Sequence, residues 1–162
     1  AASQCNVFSG DLTAVNLGKL ETKHQMFTDD DGNILSCAPT TIVIPNTDAA
    51  KTAAFIAVGS EKSPLDSTNA LNYQLGRWNI IVWPYLNQFV TSTNSPWMLV
   101  DNNYNSDMDG AVWFDRTGLE IQSYVDNSTW ANVWQMYFRF GAGFNDWRAF
   151  SLAGITSAAN AL

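Results

Sequence analysis

From Trp134 to Phe140 the chain reads Trp-Gln-Met-Tyr-Phe-Arg-Phe, and this run constrains the fold more than any other. Successive side chains of a strand point to opposite faces. Trp134, Met136, Phe138 and Phe140 therefore share one face of a long strand, and Gln135, Tyr137 and Arg139 share the other. The segment before it follows the same rule: Leu119, Ile121 and Val125 alternate with Glu120, Gln122 and Tyr124, as in a one-sided strand. Further strands are expected at 111–114, at 97–100 behind Pro96, and at 147–152. The run Trp78-Asn79-Ile80-Ile81-Val82-Trp83, closed by Pro84, reads as a buried strand. Residues 101–110 read as a polar turn, and Thr129 with its neighbours as one turn of helix.

The amino-terminal part has a different period. Leu17, Leu20, His24 and Phe27 recur at helical spacing within 12–27, with Asp11 or Thr13 as cap, and the polar run Asp29-Asp30-Asp31-Gly32-Asn33 ends the helix in a turn. Residues 40–44 are all β-branched and stop at Pro45, which marks a short strand. Asn46 or Thr47 then caps an alanine-rich helix that begins near Asp48 and ends at Gly59. A long loop is expected over 59–76. Helix, strand, helix and then several antiparallel strands define a mixed α+β fold.

At 162 residues the chain suits one domain with a real core. Charged residues make up 14%, against the usual quarter or so, and sixteen Asn and seven Trp take up much of the difference. A surface with so little charge is expected to be covered in part by other protein. The net charge is −7, and the eight Lys and Arg are scattered with no two adjacent. Phosphate-backbone binding and attraction to anionic lipid both need clustered cations, so neither nucleic acid nor membrane is expected as a partner. There is no apolar stretch of membrane-spanning length and no segment with the form of a secretory leader. Two cysteines, Cys5 and Cys37, cannot build a disulfide framework or a four-thiolate zinc site; two reduced, partly buried thiols are the plainer reading and one bridge the alternative.

No catalytic, cofactor-binding or metal-ligating residue stands out. His24 is the sole histidine and lies on an apolar helix stripe, which reads as a satisfied boundary residue rather than a base or ligand. Nothing in the spacing of Glu21, Glu61, Glu120 and the twelve aspartates selects a catalytic pair. The stretch from Asn105 to Gly110 copies the first half of a calcium loop, but the twelfth position holds Arg116 where a bidentate Glu is required, so a hairpin turn is expected instead. Gly141-Ala142-Gly143 lacks the rest of a phosphate loop. The tryptophans could stack on sugars, yet most stand in apolar runs that packing explains.

Several segments, taken in order, carry a resemblance. A short helix leads to the Asp/Gly turn and to a Pro-to-Pro segment, Pro39 to Pro45. The alanine-rich helix follows, then Asn69-Ala70-Leu71-Asn72, then Ile80-Ile81-Val82-Trp83-Pro84-Tyr85-Leu86 and Pro96-Trp97-Met98-Leu99. The series ends with Leu119-Glu120-Ile121, the aromatic strand with Arg139, and Asp146-Trp147-Arg148. Over about residues 12–153 this resembles the C-terminal part of tailed-phage major capsid proteins of the Hong Kong 97-type fold, especially relatives of the Mu-like head subunit.

The resemblance implies a P-domain portion at 1–44, an A-domain at 45–105, and P-domain strands with a C-terminal tail at 106–162. The family's N-terminal arm, extended E-loop and spine helix would precede the Asp/Gly turn, so the chain is expected to be a fragment or truncated form. The Lys–Asn crosslink of some members is not carried over, since no Glu follows Glu120. The implied function is that of a non-enzymatic head subunit without cofactors, assembling with copies of itself into pentamers and hexamers in the host cytoplasm and residing in the virion. Scaffold, portal or decoration proteins would be its other partners. The alternatives are an encapsulin-like compartment shell and a secreted carbohydrate-binding β-module.

Overall fold

A computed structural model of the chain describes residues 4–59, 72–156 and 160–162. The mixed α+β class is present, and its centre is a four-stranded sheet. Most of the loop expected at 59–76, including Asn69, Ala70 and Leu71, lies outside the described residues.

After a two-residue strand, β1 (Phe8–Ser9), helix α1 runs over Ala14–Gln25. Thr13 is its cap, its hydroxyl accepting from the Asn16 N–H at 3.2 Å. Leu17, Leu20 and His24 point inward, as their spacing requires, joined by Glu21. The Asp29 carboxylate then closes the polar turn by accepting from the N–H groups of Asp31 and Asn33. Strand β2 (Thr41–Ile44) is buried throughout. Helix α2 (Asp48–Gly59) follows, with the Thr47 hydroxyl accepting from Ala50 N–H at 3.3 Å. Its inward face is made of Ala50, Ala54, Ala57 and Val58, small enough to let the helix approach the sheet closely.

Strand β3 (Asn79–Val82) pairs parallel with β2, so β2, α2 and β3 form a crossover unit. A 3-10 helix over Pro84–Phe89 leads to β4 (Trp97–Val100), which runs antiparallel to β2 on its other side. After the short helix α3 (Asn102–Asp107) come two long strands, β5 (Ala111–Asp126) and β6 (Ala131–Phe144). Strand β7 (Phe150–Ala153) pairs antiparallel with β4, giving the order β3-β2-β4-β7. Strand β8 (Asn160–Ala161) pairs parallel with β1. Leu17 and Leu20 of α1, the alanines of α2, and Ile42, Ile44, Trp97, Leu99 and Ala153 of the sheet form one core. Among the described residues no helix is long and apolar enough to cross a membrane, a statement about helices only.

Three local expectations need correction. The run at 78–83 is not a buried strand: Trp78 is buried, but β3 is the sheet's outer strand, and Ile81, Val82 and Trp83 face solvent. The polar turn at 101–110 contains α3, because the Asp101 carboxylate accepts from the N–H groups of Asn103 and Tyr104 and so starts a helix. Asn105–Gly110 is therefore the end of that helix rather than a hairpin turn. Thr129 does lie in a single helical turn, closed by the Trp130 N–H donating to the Asp126 carbonyl at 2.8 Å, and this turn joins β5 to β6. The separate strands foreseen at 111–114 and 119–125 are one strand of 16 residues.

Candidate functional site

The part of the molecule that a folded monomer does not explain is the β5–β6 hairpin. At about 3.3 Å per residue its longer strand extends about 50 Å. Among the described residues it joins no other strand and forms a sheet of two. Nearly every residue along it is exposed. Of the strands expected between 107 and 152, only β7 enters the central sheet.

The register puts Met136 opposite Ile121 and Trp134 opposite Ser123, so these share one face of the ribbon. The ring of Trp113 stacks on Phe140 at 4.4 Å, and Phe138 lies parallel to Phe140 at 5.6 Å. Four aromatic rings that would each bury about 150–250 Å², exposed by half or more, present on the order of 400 Å² before Met136 and Ile121 are added. The opposite face carries Glu120, Gln122, Gln135 and Tyr137, with the Gln135 amide donating to Gln122 at 3.2 Å. Register shifts at Asp115–Thr117 and Thr117–Glu120 interrupt the ladder and increase its twist. At the tip, the Asp126 carboxylate accepts from Ser128 and Thr129, which hold it below the usual carboxylate range. Trp130 then takes a left-handed φ of 54° and is 84% exposed, a large ring presented to solvent on a backbone that rarely suits it.

The ribbon meets the body at a fixed root. Asn145 N–H donates to the Gly110 carbonyl at 2.8 Å, and the Asn105 side chain accepts from Ala111 N–H at 2.7 Å. A side chain at Gly110 would press on Asn105, Ala149 and the Asp146 carbonyl at once, so any larger residue there would have to displace these neighbours. The Tyr104 hydroxyl donates to Asp146 at 2.9 Å; burial, together with that bond and the carboxylate's charge, pushes the phenol up to about 12. Arg148 also grips Asp146 and donates to the Thr28 carbonyl and to Asp30.

A second apolar surface runs along β3 and the 3-10 helix, where Ile81, Trp83, Tyr85 and Phe89 are exposed beside an unpaired strand edge. Of the seven tryptophans, Trp78 and Trp97 are buried, while Trp83, Trp113, Trp130, Trp134 and Trp147 are substantially exposed. Packing within the monomer buries only two of them fully, although Trp147 also packs edge-on against Phe27 at 5.2 Å.

The body also contains a buried polar cluster that the sequence does not announce. His24 is 0% exposed, not a boundary residue, and it is only half satisfied: Nδ1 is 2.7 Å from the Ser151 hydroxyl and Nε2 has no partner. A ring nitrogen of His24, Sγ of Cys37 and a carboxylate oxygen of Asp101 lie within 4.8 Å of one another. Burial pushes the imidazole down to about 4, against the opposing pull of Asp101, so it is neutral at pH 7. Burial, with the nearby charges of Asp101 and Asp146, pushes the Cys37 thiol up. Both cysteines are free thiols. The calcium-like stretch is not arranged as a loop, since the Asn105 oxygen is committed to Ala111.

No protein-family model matches the chain, and no curated protein matches it.

Proposed function

We propose that the chain is a self-assembling shell subunit of the tailed-phage head type, with the Hong Kong 97-type fold that its ordered motifs resemble. One observation carries the reading: a two-stranded ribbon with an aromatic face open to solvent. Isolated hairpins are at best marginally stable in water, and a monomer's largest apolar patch is typically about 300–600 Å². The aromatic face of this ribbon reaches that size alone, and a second apolar surface lies on the body. The total surface of 10438 Å² also exceeds the about 8,000 Å² expected of a compact monomer of this mass.

Two unlike apolar surfaces on one chain favour head-to-tail contacts, which close into rings only at particular rotations. Rings of five or six copies, with 45–105 toward the axis and the ribbon laid on a neighbour, are the form this takes in a shell. The role is structural rather than enzymatic, and its place is the virion. A carbohydrate-binding module is a poorer fit, because Trp113 is already stacked on Phe140 and the Asn105 side chain is already bonded. Sedimentation across a hundredfold concentration range, with electron microscopy of the largest species, tests the reading. Association into rings or shells supports it; a single monomeric species throughout overturns it.

A further inference from the structure

We propose that His24, Cys37 and Asp101 form a structural binding site for a divalent transition-metal ion of the zinc type, with Nε2 as the imidazole ligand. The donor set is the first ground. One imidazole nitrogen, one thiolate sulfur and one carboxylate oxygen are the three ligand types that zinc accepts, and sulfur disfavours magnesium and calcium. A ring nitrogen of His24, the Cys37 sulfur and a carboxylate oxygen of Asp101 already lie within 4.8 Å of one another, with all three residues buried.

The second ground is the orphaned nitrogen. Nε2 is the only buried side-chain nitrogen or oxygen without a hydrogen bond among the described residues. Leaving such a group unmatched costs its desolvation with no hydrogen bond in return. In the tautomer whose Nδ1–H donates to the Ser151 hydroxyl, 2.7 Å away, the Nε2 lone pair is free for a metal. Metal-bound histidines commonly show this arrangement, the second nitrogen fixed by a hydrogen bond. Asp101 is fixed as well: its carboxylate accepts from the N–H groups of Ala38, Asn103 and Tyr104. Among the described residues it forms no salt bridge.

Charge balance is the third ground. A divalent ion, one thiolate and one carboxylate sum to zero, so binding would neutralise a buried carboxylate. The Sγ–H bond of Cys37 breaks, a metal–sulfur bond forms and one proton passes to solvent; nothing is oxidised or reduced. Three protein donors leave one position of a tetrahedral ion for water. Because the donors are buried, the ion would tie structure together: α1 through His24, the segment before β2 through Cys37, and the start of α3 through Asp101. Helix α3 in turn holds the root of the ribbon.

The test uses the chain stripped with chelator and titrated with Co²⁺, then Zn²⁺. The expected result is one Co²⁺ per chain with a thiolate-to-cobalt charge-transfer band, displaced by Zn²⁺. Cys37→Ser should lose the band and weaken zinc binding at least about a hundredfold, beyond the usual effect of a change outside the ligand shell. Cys5→Ser should keep both. X-ray absorption on the zinc-loaded wild-type chain gives the answer even if Cys37→Ser fails to fold: one sulfur with nitrogen and oxygen donors supports the site. No stoichiometric uptake, a sulfur-free shell, or a band that depends on Cys5 overturns it.

Discussion

β4 and β6 are both strands that place tryptophan and aliphatic residues at every second position, yet Trp97 in β4 is 1% exposed and Trp134 in β6 is 70% exposed. The side chains do not account for the contrast. β4 lies between β2 and β7 in the sheet that packs with both long helices, whereas among the described residues β6 has β5 as its one neighbour and is exposed along nearly its whole length. Alternation tells a strand which side chains must be covered. It does not say whether the cover comes from the same chain. In the body it does, and the residues act on stability; in the ribbon it does not, and the same kind of residue is left to act on association.

The sharpest break of this contrast is Trp97→Ala. Removing a fully buried indole should cost about 3–5 kcal/mol, read as a lower urea midpoint by far-ultraviolet circular dichroism. A loss under about 1 kcal/mol would show that the body is not the rigid part.

The root, where the two regions meet, should respond to alkali. The Tyr104 phenol is raised to about 12 in the folded chain against about 10 unfolded, so between those values the folded state holds the proton that the unfolded state gives up. Stability is thus full below pH 10 and falls as pH rises toward 12, by about 2 kcal/mol after allowance for partial exposure. Denaturation at pH 9 and 11.5 checks this, and Tyr104→Phe should flatten the dependence. An equally steep loss in that variant would place the effect elsewhere.

The smallest effect is expected at the ribbon. Trp134→Ser, studied at concentrations where the chain is monomeric, should change unfolding stability by less than about 0.5 kcal/mol, as surface changes do. The same variant should weaken association in sedimentation. A large loss of monomer stability would mean that the ribbon packs on its own body in solution.

The sequence discloses the elements whose causes are local. Both long helices could be read, because capping and helical spacing act within a few residues, and of the paired cap candidates, Asp11 or Thr13 and Asn46 or Thr47, the structure uses the two threonines. β2 and β4 could be read from β-branched or aromatic runs beside Pro45 and Pro96. β3 misled because the apolar run Ile80-Ile81-Val82 is what a buried parallel strand looks like, and strand order is not written in the strand. α3 was hidden because its residues, Asn-Asn-Tyr-Asn-Ser-Asp, are indifferent helix formers and Asp101 alone sets the start. The aromatic face of the ribbon was legible, its isolation was not. The buried cluster was the least legible of all: His24, Cys37, Asp101 and Ser151 come from four distant segments, and only the folded sheet brings them together.

The root of the ribbon also has a mechanical consequence. An arm of about 50 Å turning as one piece about Gly110 and Asn145 is a lever: a rotation of about 5° there carries Trp130 through about 4 Å, more than the width of a hydrogen bond, which spans about 3 Å. Neither strand needs to bend and no rung of the ladder needs to break. The reach of the arm is set by its length, but its aim is set by the few contacts of Asn105, Tyr104, Asp146 and Arg148 at the pivot. Small adjustments among four side chains would therefore steer a tip that none of them touches.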